Sequence, residues 1–409
     1  MCTPDASTLA AVPRLTAANS TTLLQSFAHH RKGKYKGTHH AWLADEVFAR
    51  QTWQEYGCSE EEAARVHADF CAFFGVREAS PSPHSLMGDT AASVFASWQD
   101  GARELTFFTS GSTGRPKGCT HSEDFLRQEL TGVLPLLHAL PPRTGALVTV
   151  PVHHLYGFTF GLLLPQALGL VTRTESPLPT AIARQIQPND VVIGIPLLWA
   201  HMAQLRTLPC TQALLFSATA PLEDATLGLL RGKGFDFIEI FGSSETGAMG
   251  WRGEAGAPFH LFPHFTRFGD NDTVLIQRNL PQGGIHRLPL QDSLHWHSDR
   301  SFTAIGRKDH AVQVGGVNVY PARVAAVLQT QPGVRECQVR LMRPDEGQRL
   351  KAFIVPEQGD SPQTLRAELR AYAKQHLTAE EQPARFDFGA ELPRSSLGKL
   401  ADWAPKESL

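Results

Sequence analysis

The sequence has no excess of positive charge: 38 Lys plus Arg are matched by 40 Asp plus Glu, for a formal net charge of −2 and a pI of about 6.8. A generally basic nucleic-acid binder is therefore excluded. Charged residues are scarce altogether, 19% against about 25% in an average globular chain, while 42% are hydrophobic, which excludes chain-wide disorder and leaves material for large cores. Cysteine is sparse as well. Cys2, Cys58, Cys71, Cys119, Cys210 and Cys337 form no CxxC pair and no regular spacing, so neither a disulfide framework nor a structural zinc site is encoded. No apolar run is of bilayer-spanning length. The most apolar segment, Phe158 to Val171, is interrupted by Pro165 and Gln166 and reads as buried core. The opening MCTPDASTLAAVPR lacks a basic stretch followed by an apolar core, and the closing KESL is no lipidation or retention signal. The expectation is a cytoplasmic protein with no membrane insertion.

What is present is an α/β pattern, and 409 residues at about 150 per domain suggest two or three domains. Glu60 to Phe74 opens with three acids and carries apolar residues three and four apart, which predicts an amphipathic helix in a covering layer. From Leu105 onward short β-rich runs alternate with helical stretches: 105–109, 146–152, 170–174, 190–196, 213–218 and 235–242. Each ends in Gly, Pro, Ser or Thr, as expected of α/β layers whose ligand loops follow strand ends. Residues 260–305 change to short strands and turns, a small β-rich subdomain. A boundary near Gly306 to Asp309 gives expected domains 1–306 and 307–409, the second a small α+β domain.

Chemistry concentrates first in Thr109 to Gly118, TSGSTGRPKG, directly after the apolar run LTFF. Glycines let backbone N–H groups turn inward, hydroxyls add donors and Lys117 adds a positive charge, the parts of a phosphate cradle. The GK[ST] ending of a Walker A loop is missing. An ordinary Ser/Gly loop is the alternative.

This loop resembles the signature of the adenylate-forming enzymes, the superfamily of acyl- and aryl-CoA synthetases, peptide-synthetase adenylation domains and firefly luciferases. Further segments resemble family motifs in the same order: PVHHLYGF (151–158), SATAPL (217–222), FGSSETG (241–247), HSD with GRKD (297–299 and 306–309), and LPRSSLGK ending at Lys399. The resemblance implies that the protein uses ATP and Mg²⁺ to turn a carboxylic acid into an acyl-adenylate and then a thioester of coenzyme A, or of a carrier-protein phosphopantetheine. Positioned donors and cations are what that chemistry requires, because charge builds on the transferring phosphorus and the departing pyrophosphate.

By resemblance, Thr109, Ser110, Gly111, Ser112, Thr113, Gly114 and Lys117 hold the phosphates. Ser217, Ala218, Thr219, Phe241, Gly242 and Ser244 line the nucleotide, and Ser244 keeps the hydroxyl of the family's usual Thr. Glu245 binds the metal. Asp299 accepts the ribose hydroxyls with Arg307 beside it, although an Asp–Arg surface pair is the bland reading. Lys399 inserts between the carboxylate and the α-phosphate, on a mobile C-terminal lid domain hinged at Asp309. Gly315 and Gly316 line the thiol tunnel. Gln313 and Arg323 depart from the family's usual Lys and Glu there.

The acid itself is addressed by PVHHLYGF, which has no Asp to grip an amino-acid ammonium. A plain carboxylic acid follows, and the His/Tyr pairing resembles aryl-acid ligases of the hydroxycinnamic or hydroxybenzoic type, with His154 flanking the carboxylate. Tyr156, Gly157, Phe241, Ser243 and Gly247 would shape a flat slot for a ring, with Tyr156 meeting a ring hydroxyl. A core His and Tyr satisfied by backbone is the alternative. Only 108 residues precede the phosphate loop, fewer than family members usually carry, a compact plan that resembles short 4-coumarate:CoA ligase-like enzymes. A ligase loading a carrier protein, and a non-catalytic nucleotide-binding scaffold, are the other two readings.

Overall fold

The computed structural model describes residues 9–10, 12–36, 42–109, 117–208, 212–269, 275–343, 346–347, 349–357, 362–393 and 403. The chain divides into two compact units, one of residues 1–109 and 118–305, the other of 110–117 and 306–409.

In the first unit, helices α1 Ala17–Lys36, α2 Asp45–Ala49, α3 Glu60–Phe74 and α4 Met87–Gln99 precede the first strand. In α3 the Ser59 hydroxyl accepts the Glu62 N–H at 3.2 Å while the Glu62 carboxylate accepts the Ser59 N–H at 2.8 Å. That reciprocal cap sets the start, and Gly75 at φ 65° ends the helix. The buried face is aromatic: Phe73 meets Phe27 of α1 and Phe107 edge-on at 5.6 and 5.1 Å, and Phe74 meets Trp98 of α4 at 5.7 Å.

Strands β1 Glu104–Thr109 and β2 Lys117–Ser122 make a two-stranded sheet, followed by α5 Glu123–His138. The central sheet then forms from β3 Gly145–Val148, β4 Val171–Thr174, β5 Asp190–Gly194, β6 Leu214–Ser217 and β7 Asp236–Ser243, with α6 Pro179–Gln185, α7 Pro196–Ala203 and α8 Asp224–Gly232 between them. The chain continues through β8 Gly247–Arg252, β9 Phe259–Leu261, β10 Phe265–Phe268, β11 Leu275–Asn279, β12 Ile285–Pro289, β13 Asp292–Ser298 and β14 Ser301–Arg307. Nine of these strands share one sheet in the order β13-β14-β9-β8-β7-β6-β5-β3-β4, and β10-β11-β12 form their own. From β4 to β7 the pairing is parallel, and the fully buried runs of β3, β5 and β6 reflect cover on both faces. From β7 to β14 it is antiparallel.

Two local outcomes differ from the sequence expectation. The strand expected over 146–152 stops at Val148: Thr149 still pairs with the Ile193 carbonyl, but Pro151 has no N–H to extend the ladder. Of the run Phe158 to Val171 expected as buried core, residues 158–165 are buried, but 166–171 are only partly buried or exposed, Val171 to 74%; Gly157–Leu163 is π-helical before the chain resumes an α-turn at Leu164–Ala167. A Cβ on Gly157 would lie 2.1 Å from the Pro151 carbonyl oxygen, so only glycine permits this entry.

The second unit contains the hairpin β15 Val312–Val314 and β16 Val317–Val319, helix α9 Pro321–Gln329, strands β17 Val334–Leu341 and β18 Leu350–Pro356, helix α10 Pro362–His376 and β19 Arg385–Phe388. β18 pairs antiparallel with β17 and parallel with β19. Val324, Leu328, Ile354, Leu369 and Phe386 fill its core.

Candidate active site

Thr109 is the last residue of β1 and Lys117 the first of β2, so the glycine-rich loop joins the two strands; Ser110, Gly111, Ser112, Thr113 and Gly114 lie outside the described residues, as does Lys399. The hydroxyls of Thr106 and Thr120 meet at 2.9 Å across the pair, and Gly118 allows their close approach, since a Cβ there would sit 2.9 Å from the Thr106 methyl.

In the parallel part of the sheet, Ser217 ends β6, Phe241 to Ser243 end β7, and Pro151 to Gly157 follow β3. The pairings β3–β5–β6–β7 run in one direction, so these loops leave from the same, carboxyl edge, where α/β sheets bind ligands. The loop after β6 is held from behind. Glu239 accepts the Leu222 N–H at 3.1 Å and the Arg252 guanidinium at 2.6 Å, while Arg252 donates to the Leu222 carbonyl at 3.0 Å. In front, the buried hydroxyls of Ser217 and Thr219 have no hydrogen-bond partner among the described residues, and Thr219 stands at φ 78°. An unpaired buried hydroxyl and a β-branched residue in the left-handed region each cost free energy, a combination found where a ligand supplies the missing contact. These residues fit a nucleotide.

The turn after β7 is tightly built. Ser243 and Thr246 exchange backbone N–H to hydroxyl bonds at 3.0 and 3.2 Å, and Gly242 faces Ala248 where a Cβ would come 2.0 Å from the Gly247 carbonyl oxygen. Phe241, half-buried, packs on Phe302 and Phe259 at 5.1 and 5.4 Å. Ser244 and Glu245 sit at the turn itself, partly exposed. The His121 Nε2–H donates to the Ser244 carbonyl at 2.6 Å, and burial outweighs that bond, bringing the His121 pKa down to about 4 and keeping it neutral at pH 7. A carboxylate beside a neutral imidazole fits a divalent cation, and Glu245 is the residue that would hold it.

Asp299 is exposed at the β13–β14 turn. Its neighbour Arg300 donates to the carbonyls of Phe265, Leu261 and Phe262 at 2.9 to 3.0 Å, a role the bland surface-pair reading did not foresee. In the second unit, Arg307 grips Asp309 through two bonds of 2.8 and 2.6 Å, joined by Tyr320 and the Ala311 N–H. The Arg307 bonds above all hold the Asp309 carboxyl at about 2. The expected ribose contact and the expected hinge residue are thus partners of each other here. Gly315 and Gly316 are the two turn residues of the β15–β16 hairpin, at φ 58° and 85°, the positive pair a two-residue hairpin demands. Arg323 pairs with Glu381, which accounts for a cation at that position.

His153 is buried, stacked on Phe27 at 4.4 Å, with its Nδ1 2.8 Å from the Ser26 hydroxyl, whereas His154 is exposed. The Tyr156 hydroxyl donates to the Gly194 carbonyl at 3.0 Å, so its proton goes to backbone and not to a ring hydroxyl of the acid. Burial raises its pKa well above the ordinary value. Sequence reading missed His30, one helical turn after Ser26, which has a ring nitrogen within 4.8 Å of a ring nitrogen of each of His153 and His154. It also missed His121, Glu129 and Arg278; the available signal was an acid and an arginine at positions where the flanking pattern is apolar.

The family model of AMP-binding enzymes matches residues 50–264, more than half of the chain, and the model of their C-terminal domain matches 323–399. The chain belongs to the AMP-binding enzyme family. Among the family's members it is similar to the 4-coumarate–CoA ligase of Cereibacter sphaeroides, 37% identical over 323 residues, 78% of this chain and 72% of the relative. The 4-coumarate–CoA ligase of Halorhodospira halophila is 38% identical over 299 residues, 72% and 74%. In fold this AMP-binding enzyme is like a double mutant of o-succinylbenzoate CoA synthetase from Bacillus subtilis, TM-score 0.57 at 18% identity over 72% of this chain and 67% of that one. No described helix is long and apolar enough to cross a membrane.

Proposed function

We propose that the protein is an ATP-dependent acid–thiol ligase acting on an aryl carboxylic acid, of the hydroxycinnamic or hydroxybenzoic class, with coenzyme A as acceptor. The observation that carries this reading is the convergence of the loops after β3, β6 and β7 on one sheet edge, with the buried Ser217 and Thr219 hydroxyls unpaired among the described residues. Similarity to 4-coumarate–CoA ligases supports the acid class and the acceptor.

In the first step an acid oxygen attacks the α-phosphorus of ATP, the bond to the β-phosphate oxygen breaks, and pyrophosphate leaves. The loop 109–114 with Lys117 would hold the phosphates, Ser244 the α-phosphate, and Asp299 the ribose, while Lys399 offsets the charge of both approaching anions. A divalent cation held by Glu245 would neutralise phosphate charge when bound. His154 would flank the carboxylate. In the second step the thiolate sulfur attacks the acyl carbon, the mixed anhydride opens, and AMP leaves. We propose that residues 307–409 act as a lid that presents Lys399 for the first step and the Gly315–Gly316 hairpin for the second, turning at Asp309.

Pyrophosphate exchange with ATP, Mg²⁺ and a panel of hydroxycinnamates, hydroxybenzoates, fatty acids and amino acids tests this. Aryl-acid-dependent exchange followed by thioester formation with free CoA is expected. Exchange driven by amino acids would overturn the acid class, and thioester formation only on a carrier protein would overturn the acceptor.

A further inference from the structure

Behind the turn that carries Glu245, side chains from three separate elements hold alternate backbone groups. His121 of β2 donates to the Ser244 carbonyl at 2.6 Å, Arg278 of β11 donates to the Thr246 carbonyl at 3.0 Å, and Glu129 of α5 accepts the Ala248 N–H at 3.0 Å. The backbone of Glu245 is bracketed on both sides. These side chains are also one network: Arg278 lies 3.3 Å from Glu129 and 3.2 Å from the centre of the Phe125 ring, on which His121 stacks at 4.2 Å.

The pair is dry, Arg278 being 0% and Glu129 1% exposed. Its remaining bonds go to the Gln128 side chain and the Phe125 carbonyl, and Thr159 of the π-helical segment donates to Glu129 at 3.3 Å. Gly247 makes room, since at φ 71° its Cβ would lie 1.6 Å from a Glu129 oxygen. A turn already closed by the Ser243–Thr246 bonds needs no such support, and a buried ion pair is on balance weak as a source of stability. What a fully bonded buried network does supply is one defined geometry for the groups it touches.

The geometry points to His121, Glu129 and Arg278 as positioning residues that fix the Ser244–Ala248 backbone, and through it the Glu245 carboxylate, for divalent-cation binding. This rests on the reading of Glu245 as the cation's ligand.

Amide hydrogen exchange and Mn²⁺ binding in the presence of ATP are compared for the full-length wild type, Glu129→Gln, His121→Leu and His121→Gln. The last keeps an N–H for the Ser244 carbonyl and, lying at the edge of the network, guards against a variant that fails to fold. Expected are faster exchange confined to the peptide over 243–248 in Glu129→Gln and His121→Leu, and Mn²⁺ affinity weakened about tenfold to a hundredfold, with His121→Gln restoring both. The KM for the acid stays put. Exchange that rises equally in β5 and β6, an unchanged turn peptide, or undiminished Mn²⁺ affinity would each overturn the assignment. If no acid supports pyrophosphate exchange in the wild type, the proposed reaction fails while hydrogen exchange still decides the clamp.

Discussion

His264 is fully buried against Phe265 and Phe262, at 4.7 and 6.1 Å between ring centres, and neither of its nitrogens has a hydrogen-bond partner among the described residues. Burial, then the charges of Arg278 and Arg300, holds its pKa well below the ordinary value. Below about pH 6.5 the unfolded chain binds a proton that the folded one refuses, so stability is full above that pH and falls as pH drops through it. His264→Phe removes both the unpaired nitrogens and the acid sensitivity. It is expected to stabilise the first unit by about 1 to 2 kcal/mol at pH 7.5 and by more at pH 5.5, in thermal unfolding at the two values; a pH-independent gain would contradict it. Tyr156 gives a second case. Because its proton is committed to Gly194, Tyr156→Phe should cost about 1 kcal/mol of stability and raise the KM of hydroxylated and unhydroxylated aryl acids alike. A loss confined to the hydroxylated acids would restore the ring-hydroxyl contact. The motif around Tyr156 was legible in the sequence, but its partner was not, because Gly194 lies 38 positions away at the end of β5.

At the scale of elements, local patterns that carry their own cause were readable. The three acids and apolar spacing of Glu60–Phe74 gave a capped helix, and the β-branched and aromatic runs near 190–194, 214–217 and 236–243 became strands. The π-helical turn at Gly157–Leu163 was not readable, since it depends on how closely Gly157 approaches the Pro151 carbonyl. Trp403 is a further element-scale feature that only contacts reveal. Its carbonyl accepts from Lys351 and Arg340 at 2.6 and 3.1 Å, its indole N–H donates to Asp387 at 2.9 Å, and its ring packs on Phe353 at 5.6 Å, tying it to β17, β18 and β19. Trp403→Ala removes the buried indole that packs on Phe353 and donates to Asp387, while the backbone carbonyl that accepts from Lys351 stays. It should destabilise the second unit by about 3 kcal/mol or more while the unfolding transition of the first unit stays in place, as calorimetry would show.

For the molecule as a whole, the two half-reactions proposed above place different demands on the second unit. Lys399→Ala should cut acid-dependent pyrophosphate exchange by orders of magnitude, yet leave thioester formation from a supplied acyl-adenylate nearly intact, with the two measured separately. Equal loss in both would contradict a lid that serves each step with a different face. Membership in the AMP-binding enzyme family and the α/β character were determined by the sequence alone, because ordered motifs and hydrophobic periodicity are properties of neighbouring residues. Which polar groups find each other was decided only in the tertiary structure. His121 reaches Ser244 across 123 positions and Arg278 reaches Phe125 across 153, and a guanidinium or an imidazole looks the same in sequence whether it faces water or holds a turn. Burial is what turns such side chains into positioning groups, and burial exists only once the sheet, the helix and the turn have packed.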